Sequence, residues 1–366
     1  MLYENPSYDI LIGCQHGDEA KGKIAKSLAH RYTHIVKFNG GANSGTTIIY
    51  NGKKCINHII PVGVFTWNDR WGKKTTTLDK NYSCSTGWNI DSSSITNKYP
   101  ISIIGSNCVV HPQSFLSEVE ELRNLGLTID NSMLKIANNA FVVEDFHIVE
   151  DRQKDAIGST KRGITFAYRD KILKTARRVC DVPELKEWIC DPVMELMGRN
   201  NKILFQGGQG FGLDLSFGDY PYVTSSNCIS SVAMLNGVPP HGLCDVWGAA
   251  KIYETYVGNK NFEPDNVIFD KLREIGQEYG ATTGRPRKCN WLDLSFLTKS
   301  IYLNGVTHLV ISKVDILTEL NHFEIRNPNT TFSSVEDMKD FIGLKLQREF
   351  PKLHIFWSSS PEHYDR

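Results

Sequence analysis

The chain has 366 residues, enough to bury the core of one large α/β domain or of two smaller ones. Its 41 lysines and arginines balance 41 aspartates and glutamates, so no global field draws it to nucleic acid or to an anionic membrane. Nine cysteines, odd in number and never spaced as C-x-x-C, suit reduced thiols better than a disulfide framework or a zinc site. No apolar run reaches the ~18 residues of a membrane span, and the N-terminus has neither a basic start nor an apolar signal core. The expectation is a cytoplasmic protein without nucleic-acid or membrane partners.

In chain order, Ser7 to Cys14 reads as a strand running into a glycine-rich loop, after which Ile24, Leu28 and Tyr32 take helical spacing. "THIVKFNGGANSGTT" (33–47) repeats the strand-into-glycine pattern, and "GKKCINHIIPVGVF" (52–65) reads as a strand closing at Pro61 and Gly63. Residues 66–99, rich in Asn, Ser, Thr, Lys and Trp, lack periodicity and read as a long surface insertion. A strand over 100–110 precedes a helix over Gln113 to Leu125, with Phe115, Val119 and Leu122 on one side and Gly126 as cap. Further strands are expected at 202–210 and 306–315. This alternation predicts one α/β domain over 1–366, with a mostly parallel sheet flanked by helices and ligand groups at the strand C-terminal ends.

The chemistry gathers in the loops. "GDEAKGK" (17–23) has the G-x-x-x-x-G-K form of a phosphate loop, but Ile24 stands where the metal-binding Ser or Thr belongs. Backbone N–H groups at a helix start attract phosphate, and Lys21 and Lys23 add charge. Asp18 would be repelled there unless it held a cation or moved a proton, so it is the candidate magnesium ligand and general base. Asn43, Ser44, Thr46 and Thr47 in "NGGANSGTT" (39–47) offer neutral hydrogen bonds, as do Thr160 in "AIGSTKRGITFAY" (156–168) and Gln209 with "YVTSSN" (222–227). Arg285 and Arg287, stiffened by Pro286, form a candidate anion clamp. Asp315, after Lys313, would accept from N1–H and the 2-amino group of guanine, which adenine lacks.

Taken in this order, these segments, with "HIIPVG" (58–63), "GGQGFGLDLSFGDYPYVTSSN" (207–227), "GATTGRPRKCNWLD" (280–293), "SKVD" (312–315) and "SSSP" (358–361), resemble the adenylosuccinate synthetase family. Its members join L-aspartate to IMP with GTP and magnesium, through 6-phosphoryl-IMP. The resemblance implies a P-loop-like GTP site in a single α/β domain that forms a homodimer with shared active sites. Carried over by position, Asp18 is the base and, with the Gly45 carbonyl, a magnesium ligand. GTP would meet Gly17, Glu19, Lys21, Gly22, Lys23, Thr47, Arg287, Lys313, Asp315, Ser358 and Ser360. IMP would meet Asp18, Lys21, Asn43, Thr46, Thr160, Gln209, Thr224 and Arg285, with Lys174 or Arg177 reaching it from the partner chain; aspartate would meet Thr282, Thr283, Arg285 and Arg287.

The departures are specific. The family's N-A-G-H-T histidine, an acid in phosphoryl transfer, is Thr46 here, and His16 is the candidate to replace it. Ala20 stands for a loop glycine, and the family's S-T-G-P is Ser358-Ser359-Ser360-Pro361. Short relatives that use dGMP instead of IMP are an alternative, but they tend to lose the loop aspartate and keep the histidine, the reverse of this chain. A nucleotide-binding paralogue with weak or no ligase activity is the other alternative. A plain P-loop kinase or GTPase is disfavoured by Ile24 and the arginine clamp.

Overall fold

The computed structural model describes residues 5–50, 53–68, 100–154, 158–280 and 284–359. Most of the expected insertion, from residue 69 to 99, lies outside them, as do Thr282, Thr283 and Ser360.

Nine strands form one sheet in which every pairing is parallel. Across it the order is His354–Ser358, His308–Ser312, Leu243–Lys251, Ser7–Gly13, Lys202–Gly210, His34–Lys37, Ile101–Ile104, Leu134–Ala137 and Ile189–Cys190. The first strand, β1 (Ser7–Gly13), therefore lies between two strands from far along the chain. Its alternation shows why a continuous apolar run became a strand buried on both faces. Tyr8, Ile10 and Ile12 pack into one apolar cluster and Leu11 into the other, all at most 1% exposed. Tyr8 meets Phe205 edge-on at 5.4 Å between ring centroids.

The helix expected from Ile24 is α1 (Lys21–Leu28), which Ala29–Arg31 extends as one tighter turn. The one over Gln113 to Leu125 is observed as Pro112–Asn124, and Gly126 closes it at φ 91°. There Leu127 N–H reaches Leu122 O and Gly126 N–H reaches Arg123 O, satisfying two terminal carbonyls. The strand expected over 52–65 stops at Asn57, and Gly63–Asn68 is a short helix. Pro61 cannot donate to a ladder, so the apolar run after it continues in another conformation.

Lys53–Asn57 pairs antiparallel with Thr46–Tyr50, and a second, four-stranded sheet carries Lys288–Asp293. Among the described residues no helix is long and apolar enough to cross a membrane.

Candidate active site

The strand order decides where the loops meet. Gly13 pairs with Gly210 on one side and Ala249 on the other, Lys251 pairs with Ser312, and Ser312 with Ser358. One edge of the sheet therefore collects the loop 14–20, Gln209, Lys251, Lys313 and Ser358, the usual place for ligands in such a sheet.

The loop between β1 and α1 turns sharply: Gly17, Asp18 and Ala20 have φ of 94°, 61° and 60°. Two non-glycine residues in the left-handed region cost roughly 1–2 kcal/mol each, strain of the kind found at functional sites. Ala20 caps α1 without a side-chain bond, which leaves the first N–H groups of the helix without a side-chain acceptor at the cap.

Glu19, expected among the GTP contacts, points inward instead and is 0% exposed. Its Oε1 accepts from Gln15 N–H at 3.2 Å and Gly17 N–H at 2.8 Å, and its Oε2 accepts from Lys21 Nζ at 2.6 Å. Burial pushes this carboxyl upward, but Lys21 and the backbone donors outweigh it and hold it below the usual range. The carboxylate folds the loop around itself. Gly13 and Gly210 are required as its floor, because a methyl on either would lie within 2.8 Å of Glu19 Cδ or overlap Oε1.

Asp18, by contrast, keeps its side chain 35% exposed, with Oδ2 2.9 Å from Arg287 Nε. That approach is a charge contact whose angle falls short of a hydrogen bond, since Arg287 Nε has no aligned acceptor. The same guanidinium donates from Nη1 to Glu278 Oε2 at 2.6 Å.

Three residues assigned from the sequence to the acceptor nucleotide are joined here. Asn43 Oδ1 accepts from Gln209 Nε2 at 3.1 Å, and Asn43 Nδ2 lies 3.5 Å from Thr224 Oγ1. Behind them Lys37, 4% exposed, donates to Gly41 O and to His58 O, fixing the loop 39–47 from below. Gly45 and Thr46 are half-buried and Thr47 is exposed at the start of its strand. A methyl built on Gly22 would overlap Thr46 Cγ2, so position 46 lies directly against the phosphate-type loop.

His16 is placed differently from its expected role as an acid. Its ring stacks on Phe296 at 5.1 Å and meets Phe262 edge-on at 5.2 Å, and its Nε2 is 3.1 Å from Asp219 Oδ2. The residue is 6% exposed. A ring sealed in this way and turned to Asp219 is not presented to a nucleotide on the loop. It ties the loop to the segment that carries Thr224. The hydrogen bond from His16, with Lys260, holds Asp219 far below the ordinary carboxylate range despite partial burial.

At the far end, Lys23 Nζ donates to Ser358 Oγ at 2.7 Å. Lys313 caps the helix Val314–Leu320, and half-buried Asp315 lies in its first turn. Arg285 is exposed, on a loop pinched by Gly280 N–H to Arg285 O at 2.8 Å. Thr160 is exposed on a loop that Asp151 fastens through Ser159 Oγ and Gly163 N–H, each at 2.8 Å. Lys174, exposed at φ 63°, ends the helix Ile164–Leu173, whereas Arg177 is forked onto Glu144 at 2.9 and 3.1 Å.

Sequence reasoning missed Lys251 and Glu278, which are 2% and 0% exposed. Lys251 Nζ donates to both oxygens of Glu278 at 3.0 and 2.9 Å, and Tyr253 OH adds a third bond at 2.7 Å. Burial raises this carboxyl, but Lys251, Arg287 and Lys313 prevail and bring it down to about 2. The available signal was local in each case: a lysine closing an apolar strand, and a glutamate two residues before "GATTGR".

The described residues hold no cluster of three His, Cys, Asp or Glu that could cage a metal. A magnesium ion needs none, because it keeps water and substrate phosphate oxygens and takes one or two carboxylates from a protein. Asp18, the partly exposed carboxylate of the loop, fits that donor chemistry, and the Gly45 carbonyl is an oxygen donor of the same kind.

The family model described as adenylosuccinate synthetase matches residues 10–71, 83–197 and 184–328. The adenylosuccinate synthetase of Thermodesulfovibrio yellowstonii is 33% identical over 94% of this chain and 83% of its own length. That of Acetivibrio thermocellus is 33% identical over 85% and 78%. Among solved structures, fully ligated adenylosuccinate synthetase from Plasmodium falciparum superimposes with TM-score 0.73 at 24% identity, covering 98% of this chain and 99% of that one. A cyanophage S-2L succinoaminodeoxyadenylate synthetase bound to dGMP and dATP gives TM-score 0.69 at 19% identity, covering 98% and 94%. At these identities the two superpositions speak for the fold.

Proposed function

The chain belongs to the adenylosuccinate synthetase family, and we infer from that premise that it is the GTP-dependent ligase of purine biosynthesis that joins L-aspartate to IMP. The observation that carries the residue assignments is Asp18: a partly exposed carboxylate on a loop built for phosphate, with an arginine beside it.

The chemistry follows from what IMP lacks. Its 6-oxygen is a poor leaving group until it carries phosphate. Asp18 takes the N1 proton, and electron density moves onto O6, which attacks the γ-phosphorus of GTP and releases GDP. The amine of aspartate then adds at C6 of 6-phosphoryl-IMP, and phosphate leaves with the original O6. Asn43, Gln209 and Thr224 hold the acceptor; Lys21, Gly22, Lys23 and Thr47 face the phosphates; Arg285 and Arg287 clamp the aspartate carboxylates; Lys313, Asp315 and Ser358 receive the guanine. Magnesium, held by Asp18 and the Gly45 carbonyl, would neutralise charge on the transferring phosphoryl group.

Arg287 Nε lies 2.9 Å from Asp18 Oδ2 without an aligned acceptor. A dicarboxylate entering the clamp gives that guanidinium a new partner and releases the base for N1. A homodimer fits the same picture. Ile172 and Leu173, 76% and 62% exposed, lie beside Lys174, one of the two residues, with Arg177, expected to reach the partner's site.

The reading is tested by incubating the protein with aspartate, magnesium, IMP or dGMP, and GTP or ATP, with products identified by mass. Adenylosuccinate from IMP and GTP is expected. A succinyl adduct formed only from dGMP would replace this reading with the dGMP-dependent one, and nucleotide binding without product would support a paralogue. Thr46 gives a second test. Because it packs against Gly22, Thr46→His should place an imidazole over the transferring phosphate and raise kcat by roughly 10²-fold, the lower end of acid catalysis. An unchanged kcat would mean that this chain does not need an acid at position 46.

A further inference from the structure

We propose that Glu278 is a positioning residue that couples the donor-nucleotide half of the site to the half that holds aspartate and the base. The proposal rests on the ligase reading above and adds a thermodynamic link between its substrates.

The geometry is that of a hub. On one side of Glu278, Arg287 spans from Glu278 Oε2 to Asp18 Oδ2. On the other, Lys313 Nζ lies 3.9 Å from Glu278 Oε1 while donating to Gly276 O at 2.7 Å. Underneath, Lys251 holds both carboxylate oxygens. The backbone of Lys251 is itself bonded to the loop that carries Asp18, with Gln15 Nε2 to Lys251 O at 3.0 Å and Lys251 N–H to Gln15 Oε1 at 2.8 Å. The main chain at 278 also starts the clamp loop: Arg287 N–H donates to Glu278 O at 2.9 Å, and Tyr279 bridges Pro286.

Three cations, Lys251, Arg287 and Lys313, thus surround Glu278, and Arg287 also faces Asp18. Glu278 is 0% exposed and satisfied by three donors besides the more distant Lys313. It touches none of the reacting atoms in the proposed reaction. Its consequence is indirect. When guanine engages Lys313, the lysine's share of Glu278 falls, and Glu278 holds Arg287 correspondingly tighter. Since both ligands bias one hub, each must alter the other's affinity by the same factor.

The test uses unreactive ligands: succinate, which lacks the amine, and GDP, which lacks the γ-phosphoryl group. Calorimetric titration of the full chain, saturated with IMP, measures the succinate Kd with and without magnesium and GDP. We expect succinate to bind roughly tenfold tighter with GDP present, a typical coupling, and that ratio to fall to about one in Glu278→Gln. Because Glu278→Gln strands the buried Lys251, the double variant Lys251→Met/Glu278→Gln, which removes both charges, is measured beside it. A ratio near one in wild type, or an unaltered ratio in either folded variant, overturns the proposal. A variant that weakens both ligands but keeps the ratio shows a merely structural role and overturns it too. Failure of the ligase reading looks different: wild type then makes no adenylosuccinate.

Discussion

Asp18→Asn is expected to lower kcat by roughly 10²–10⁴-fold, the usual cost of losing a positioned general base. Asparagine has nearly the same shape and tolerates the left-handed conformation at φ 61°, so the loop should fold as before. It cannot accept the N1 proton of IMP, and it is a weaker ligand for a divalent cation. The Arg287 charge contact, 2.9 Å in the structure, would also lose its counter-charge. Steady-state kinetics should therefore show a collapse of kcat with a modest change in the KM for IMP. Equilibrium binding of GDP without magnesium should persist. Wild-type turnover in Asp18→Asn would remove Asp18 from the proton transfer.

Glu19→Ala is expected to be the most destabilising change at the site. Breaking a buried ion pair by removing one partner costs about 3–5 kcal/mol, and here it leaves Lys21, 8% exposed, without the carboxylate 2.6 Å away. Gly17 and Gln15 N–H groups lose their acceptor as well. Chemical denaturation at pH 7 should show the loss, and phosphate-dependent binding should fall with it. The sign of the pH dependence follows from the lowered folded-state pKa of Glu19. Its contribution is fully present above its unfolded value, near 4.5, and is lost as pH falls below that toward the folded value. Wild type should therefore lose stability on acidification through that window, and Glu19→Ala should lack this component. Equal wild-type and variant stability at pH 7 would contradict the keystone role.

Much of this arrangement was legible because it is local. Gly17 to Lys23 runs from the turn after a strand into the first turn of a helix, in the sequence and in the structure, so the phosphate-type loop could be read from spacing alone. Continuous apolar runs with polar ends marked strands buried on both faces, and the parallel sheet followed. Asn43, Gln209 and Thr224 were named from separate motifs, and the strand order brings them within hydrogen-bond reach.

What escaped the sequence is non-local. Lys251 and Glu278 are 27 residues apart, and no periodicity announces that a buried lysine will find a buried glutamate. Lys37 and Glu118 are similar: Glu118 accepts from His58, Ile59 and Ile60 N–H groups sixty residues away in sequence. His16 was misread because adjacency to Asp18 along the chain says nothing of direction. In a tight turn with Gly17 at φ 94° the side chains of successive residues diverge, and His16 enters an aromatic pocket. Glu19 shows the same limit, since a charged residue in a phosphate-type loop can be the loop's own core.

The central claim is that O6 of IMP becomes a phosphate ester before aspartate displaces it. It is tested most directly by running the reaction with IMP labelled with ¹⁸O at the 6-position and analysing the released phosphate by mass. The account predicts that each phosphate formed with adenylosuccinate carries one ¹⁸O from IMP. Unlabelled phosphate, with the label left in water or retained on the purine, would contradict it.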